Sequence, residues 1–119
     1  MPDWPSIGLG AIDITLLQLT SAYTTFANQG KWEKPILIKS IKNKDGKVIY
    51  QAKGQPKQVI KPLYNAIMLD MLINNESHDF SMHLKSQNGG KTGTTDDQSD
   101  GWYVGLTPNL VVGIWTGGD

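Results

Sequence analysis

Gly90-Lys91-Thr92-Gly93-Thr94-Thr95 puts a cation, three hydroxyls and two glycines on one short segment. That set suits gripping an oxygen-rich anion: the ammonium supplies charge, the hydroxyls are rotatable donors, and the glycines keep the backbone accessible. As a strand, the segment would point Lys91 and Gly93 one way and Thr92 and Thr94 the other. It could then offer backbone N–H groups and a threonine hydroxyl to a substrate carbonyl and carboxylate. On three residues, Lys-Thr-Gly alone is equally a common turn, so the weight rests on what surrounds it. His78 and His83 are the other residues with ligating chemistry. They lie five apart, which does not stack them on one helix face, and neither cysteine nor a Glu-x-x-His pattern supports them. Neither a metal nor another cofactor is expected.

The elements that must position the segment follow from period and punctuation. Thr15-Leu16-Leu17-Gln18 has the form of a capping box, and Leu16, Leu19, Tyr23 and Phe26, with Ala22 and Ala27, recur at helical spacing. Asn28-Gln29-Gly30 supplies a glycine stop, so a helix is expected over about 15–28. Before it, Asp3 to Gly10 reads as a loop. Ile36 to Lys42 and Lys47 to Gln51 are β-branched and flank Asn43-Lys44-Asp45-Gly46, which predicts a hairpin over about 36–51. Its lysines (Lys39, Lys42, Lys44, Lys47) read as a solvated face that blunts edge pairing. Pro62 suits the first turn of a second helix over about 62–74, with Leu63, Ala66, Ile67, Met68, Met71 and Leu72 for burial. The span 78–88 is polar, with a short helix around 81–85 as one reading.

Strands are expected over about 91–95, 101–106 and 110–116, the last two joined by Thr107-Pro108-Asn109. Both of these runs are apolar on both faces, as in strands covered by helices on each side. The fold class expected is α+β: an antiparallel sheet near the C-terminus with helices packed on it.

The chain has 119 residues, with Lys+Arg 11 against Asp+Glu 11 and a formal net charge of +0. Neutrality removes the electrostatic case for a nucleic-acid partner. The absence of cysteine excludes a disulfide scaffold and cysteine-ligated zinc. No apolar run approaches the length of a bilayer span, and Met1-Pro2-Asp3-Trp4 does not begin a signal peptide. Residues 1–119 read as a single unit.

Two blocks, one near each end of the chain, carry a family resemblance. Gly90 to Thr95, then Asp100-Gly101-Trp102-Tyr103-Val104-Gly105-Leu106-Thr107-Pro108, then Val112-Gly113-Ile114-Trp115-Thr116-Gly117-Gly118-Asp119 closely resemble the end of the transpeptidase domain of class A high-molecular-weight penicillin-binding proteins. Pro5 to Ala11, Leu17-Gln18-Leu19 and Ala22 to Gly30 look like the helix that follows the middle of that domain, in the family's order. Serine β-lactamases share a Lys-Thr-Gly strand, but Ala-Tyr-x-x-Phe-Ala-Asn and Asp-x-Trp-Tyr-x-Gly look like cell-wall synthases.

The resemblance implies a partial penicillin-binding fold and acyl transfer. In the family, a serine of a Ser-x-x-Lys motif attacks the D-Ala-D-Ala bond of a peptidoglycan stem peptide, and β-lactams intercept that serine. Carried onto this sequence, Lys91 supplies positive potential near the substrate carboxylate. Thr92 and Thr94 hydroxyls match the positions that meet that carboxylate, and the Thr94 N–H would be half of an oxyanion hole. Gly93 keeps the surface low for an added strand, and Thr95 completes the substrate-binding set. Ser6, Ser21, Ser40, Ser77, Ser81, Ser86 and Ser99 all lack lysine three residues on, so no nucleophile is assigned in this chain. Ser86-Gln87-Asn88 matches the family's Ser-x-Asn in form only, because it sits on the lead-in to the Lys-Thr-Gly strand. Gly101 and Asp96 depart mildly from the family pattern.

The expectation is the C-terminal part of a D,D-transpeptidase domain, binding stem peptide and β-lactams when complete, within an extracytoplasmic protein anchored to the cytoplasmic membrane. The alternative is a non-catalytic penicillin-binding-like module that binds or senses peptidoglycan peptides. Truncation would also leave apolar strand edges exposed, so the isolated chain is expected to self-associate.

Overall fold

The computed structural model describes residues 10, 12–75, 86–95 and 99–118. The loop expected before Gly10, the short helix around 81–85, His78, His83 and Asp96 lie outside those residues.

Helix α1 runs Leu16–Ala27 and starts as its sequence dictates. Thr15 Oγ1 accepts the Gln18 N–H at 3.2 Å, and Gln18 Oε1 accepts the Thr15 N–H at 2.9 Å, completing the capping box. Its end departs from a simple glycine stop. Gln29 (φ 56) takes the left-handed position, and Gly30 (φ 81) donates to Thr25 O at 2.8 Å, a Schellman closure. A Cβ at Gly30 would run into Ile60 O, so the site excludes side chains twice over. The buried positions of α1 are Ser21 and Thr25, not the expected Leu16–Phe26 stripe, which is exposed or half-buried. Of these inward polar residues, Ser21 is satisfied by the Trp32 indole N–H, which its Oγ accepts at 3.1 Å.

Helix α2 spans Pro62–Asn75 and corrects the expected burial similarly. Asn65 and Leu72 are buried, whereas Leu63, Ile67 and Met71 are exposed. The helix is apolar around most of its circumference, so periodicity did not single out a face. Two tertiary features do: Asn65 Nδ2 donates to Phe26 O at the end of α1 (3.0 Å), and Gly89 admits the α2 backbone at Leu72–Ile73.

Three small strand pairs or sheets form in all among the described residues. Two-residue strands β1 (Lys31–Trp32) and β4 (Lys57–Gln58) pair antiparallel, too short to leave a period in the sequence. The hairpin is β2 (Ser40–Lys42) with β3 (Val48–Gln51), shorter than the expected 36–51. Its turn is held by Asn43 Oδ1, which accepts the N–H groups of Asp45 (3.0 Å) and Lys47 (2.9 Å), with Gly46 at φ 79. Pairing stops after the Ala52 N–H to Lys39 O bond of 2.9 Å. Opposite Ile36–Ile38 the chain would be Lys53-Gly54-Gln55, with Pro35 and Pro56 next, and glycine and proline are poor ladder partners.

Strands β5 (Gly89–Thr94), β6 (Gly101–Leu106) and β7 (Val111–Thr116) form the main sheet in the order β5-β6-β7, antiparallel throughout. The ladder sets Lys91 opposite Val104 and Gly93 opposite Trp102, and Val104 in turn opposite Gly113. Val104 and Leu106 are buried on that face, where α1 meets Gly113 through Thr20 and Leu16, and α2 meets Gly89. Both helices therefore cover one face. On the other, Val112 and Ile114 are exposed, so the expected cover on both faces is not supplied by the described residues. An apolar pattern reports what a strand needs to bury and says nothing about which part of a protein buries it. The architecture is α+β, as the sequence implied.

Candidate active site

The Lys-Thr-Gly segment lies on β5, at one edge of the three-stranded sheet among the described residues. Which backbone groups it offers follows from the ladder. Thr95 N–H donates to Asp100 O at 3.2 Å, continuing the register in which Thr94 faces Gly101. In an antiparallel pair bonded and non-bonded residues alternate, so Lys91 and Gly93 bond to β6 while Thr92 and Thr94 turn their N–H and C=O outward. The β6–β7 turn agrees. Thr107 N–H donates to Leu110 O at 2.8 Å, which commits Gly101, Tyr103 and Gly105 to β7 and leaves Trp102 and Val104 for β5. Thr92 and Thr94 thus present N–H donors along an open edge.

Side chains alternate about that edge. Lys91 is exposed on the helix-covered face, and its Nζ curls over the edge to donate to Thr92 O at 2.9 Å. Thr92 and Thr94 are exposed and stand on the opposite face. Gly93 lies between the two hydroxyl positions, Thr92 and Thr94. A Cβ there would meet only Trp102 Cβ at 3.4 Å, ordinary contact. The fold itself therefore does not demand glycine at 93, and the low surface it leaves faces outward.

Thr95 has a different task from the rest of the set. It lies past the strand end, its Oγ1 accepts the Asp100 N–H at 3.0 Å and sits 3.3 Å from Ser99 Oγ. Asp100 continues the network: Oδ1 accepts the Trp115 indole N–H at 2.8 Å and Oδ2 accepts Ser99 Oγ at 3.2 Å. Sequence reasoning missed Asp100 and Trp115 as partners, because they are 15 residues apart. The hairpin register that pairs Gly101 with Thr116 is the signal that could have found them. Ser86 and Asn88 lead into β5, where Asn88 Nδ2 donates to Ser86 O at 3.1 Å, a local turn contact.

Two hollows of about 350 and 160 Å³ open elsewhere, the first beside α1 around Leu17 and Glu33, the second under Pro108 and Asn88. Neither is lined by Lys91, Thr92, Gly93 or Thr94, which lie along the strand edge. Such an edge can take an extended peptide as an added strand, hold its carboxylate by ammonium and hydroxyl, and donate to a carbonyl oxygen from the Thr94 N–H. Among the described residues, no helix is long and apolar enough to cross a membrane.

Comparison with known proteins gives the family. The family model described as penicillin binding protein transpeptidase domain matches residues 3–114. Penicillin-binding protein 1A of Aquifex aeolicus is 38% identical over 118 residues, covering 96% of this chain and 16% of that protein. Penicillin-binding protein 1B of Buchnera aphidicola is 32% identical over 121 residues, covering 98% and 16%. Among solved structures, penicillin-binding protein 1A from Haemophilus influenzae superposes with a TM-score of 0.84 at 22% identity, over 96% of this chain and 23% of that one. Penicillin-binding protein A from M. tuberculosis, as an imipenem acyl-enzyme complex, superposes with a TM-score of 0.82 at 22% identity, over 92% and 27%. The chain spans 16% of the length of the two relatives named first, so it corresponds to a part of them. The chain belongs to the penicillin-binding protein transpeptidase family, as its resemblance to the class A high-molecular-weight branch implied.

Proposed function

We infer that this chain is the substrate-holding part of a peptidoglycan D,D-transpeptidase, a target of β-lactams, and that the attacking serine comes from a part of the protein outside these residues. The observation that carries the reading is the edge of β5, where Lys91 is followed by Thr92 and Thr94, whose N–H groups turn outward. In the reaction, the serine oxygen bonds to the carbonyl carbon of the penultimate D-Ala, the peptide C–N bond breaks, and the terminal D-Ala leaves with a proton. An amine from a second stem then displaces the serine and closes the cross-link. Lys91 and the Thr92 and Thr94 hydroxyls hold the substrate carboxylate, which costs several kcal/mol to desolvate alone, on the order of the values for unpaired ions. The Thr94 N–H meets the oxyanion, with the serine's own N–H as its partner. Gly93 lets the peptide lie close.

The acyl-enzyme state of the M. tuberculosis relative supports extending β-lactam binding to the complete protein. We place that protein outside the cytoplasm, anchored to the cytoplasmic membrane by segments beyond this chain. A fluorescent penicillin should label the full-length protein and leave the isolated 119-residue chain unlabelled. Labelling of the isolated chain would overturn the assignment of the serine elsewhere. A full-length protein that lacks Ser-x-x-Lys and resists labelling would instead be a non-catalytic module that binds or senses stem peptides.

A further inference from the structure

We propose that Asp100 is a positioning residue, which with Trp115 clamps the end of β5 so that the Thr94 N–H keeps its place as an oxyanion donor. This rests on the acyl-transfer reading above. Thr94 is the last residue of an edge strand, so its backbone is held from one side only, and strand ends at an edge open readily. What holds it is a chain of bonds across the sheet. From β7, the Trp115 indole donates to Asp100 Oδ1 at 2.8 Å. Asp100 in turn exchanges two bonds with Thr95: its N–H donates to Thr95 Oγ1 at 3.0 Å, and its C=O accepts the Thr95 N–H at 3.2 Å. Thr95 is bonded covalently to Thr94, so a shift of the carboxylate is passed to the donor one residue away.

The clamp is built tightly. Ser99 Oγ donates to the second carboxylate oxygen at 3.2 Å, and the Trp115 ring leans on Trp102, directly across the ladder, with centroids 6.3 Å apart. Gly117 closes the other side. A Cβ there would meet Asp100 Oδ1 and lie 2.6 Å from Trp115 Cζ2, so no side chain fits beside the pair. A carboxylate acceptor is stronger than a neutral one, which suits a bond that must hold two strands apart in sequence in fixed relation.

The experiment uses the full-length protein and a fluorescent penicillin, with saturation kinetics that separate initial binding from the acylation rate. Trp115→Phe keeps ring packing but removes the indole donor, and should slow acylation by about 10-fold while leaving initial binding unchanged, since Lys91 and Thr92 still grip the carboxylate. Asp100→Leu should do the same. Asp100→Asn keeps an acceptor for the indole and should stay within about 3-fold of wild type. Hydrogen exchange of the same proteins should show the Thr95 and Asp100 amides, which the clamp holds in hydrogen bonds, opening faster in Trp115→Phe and protected in Asp100→Asn. A purely structural role would lower the melting temperature and the active fraction yet leave the acylation rate of the surviving molecules alone, and that result overturns the proposal. So does an unchanged rate, or slowing without faster exchange at the Thr95 and Asp100 amides. A wild type that penicillin does not acylate overturns the transpeptidase reading itself; the exchange comparison then still decides whether the clamp exists.

Discussion

A methyl group placed on Gly113 probes the seam that carries α1 on the sheet. An added Cβ would overlap Thr20 Oγ1 and lie 3.1 Å from both Leu16 Cδ1 and Thr20 Cβ. The Thr20 hydroxyl is not idle, since it donates to Leu16 O at 2.7 Å. Carbon pairs settle near 3.5–4.0 Å, so α1 must lift by roughly 0.4 Å or more, or two side chains must leave their rotamers. Overpacking of this kind costs about 1–3 kcal/mol, offset by about 0.5–1 kcal/mol because alanine loses less chain entropy than glycine in a strand. Gly113→Ala should therefore destabilise the transpeptidase domain by about 1–2 kcal/mol. Thr20→Ala removes the obstructing hydroxyl, gains a few tenths of a kcal/mol in helix propensity, and should be near neutral alone. Together the two should recover at least half of the loss. Urea unfolding followed by tryptophan fluorescence measures all four corners of the cycle, with Trp102 and Trp115 close by in the same sheet. Additivity within about 0.5 kcal/mol would refute the claim that Thr20 and Gly113 share this space.

Lys91→Gln should lower the second-order acylation rate of the full-length protein by about 10–100-fold, the worth of a charge-assisted bond, without moving the melting temperature. Equal rates would remove Lys91 from the site. Burial raises the Tyr23 pKa above the ordinary tyrosine value. The folded pKa then exceeds the unfolded one, so the contribution is complete below about pH 10 and is lost as pH rises through the folded value. Tyr23→Phe should flatten part of the alkaline decline in stability; parallel curves for the two proteins would contradict it. The isolated chain exposes Leu63, Ile67 and Met71 on α2 and Val112 and Ile114 on β7, and should self-associate. A monomer in sedimentation at every concentration would count against that.

What the sequence disclosed was whatever depends on neighbours along the chain. Thr15 and Gln18 close their capping box within one helical turn, Asn43 to Gly46 build their own turn, and alternation alone separates Lys91 from Thr92. What it withheld depends on distant partners. Leu63 and Leu72 look equally fit for burial until Asn65 finds Phe26 and Gly89 lets the helix in on one side. Ser21 and Thr25 look like surface residues until the folded chain buries them, Ser21 with the Trp32 indole as its partner. Thr95 reads as one more hydroxyl of the motif, and only the cross-sheet bond from Trp115 to Asp100 gives it another task. The placement of the motif on a strand was thus legible, whereas its anchoring was not.

The alternation along β5 also works as a ruler. Outward-facing backbone groups recur every second residue, about 6.8 Å apart, at Thr92 and Thr94. A peptide lying on this edge can be in phase or out of phase and nothing between. A slip of one residue turns every side chain to the wrong face, and a slip of two carries the reacting carbonyl about 7 Å from Thr94. Such an edge selects by phase, through main-chain groups that every peptide shares. It can fix where along the edge a peptide lies while leaving the side chains farther along the peptide free to differ.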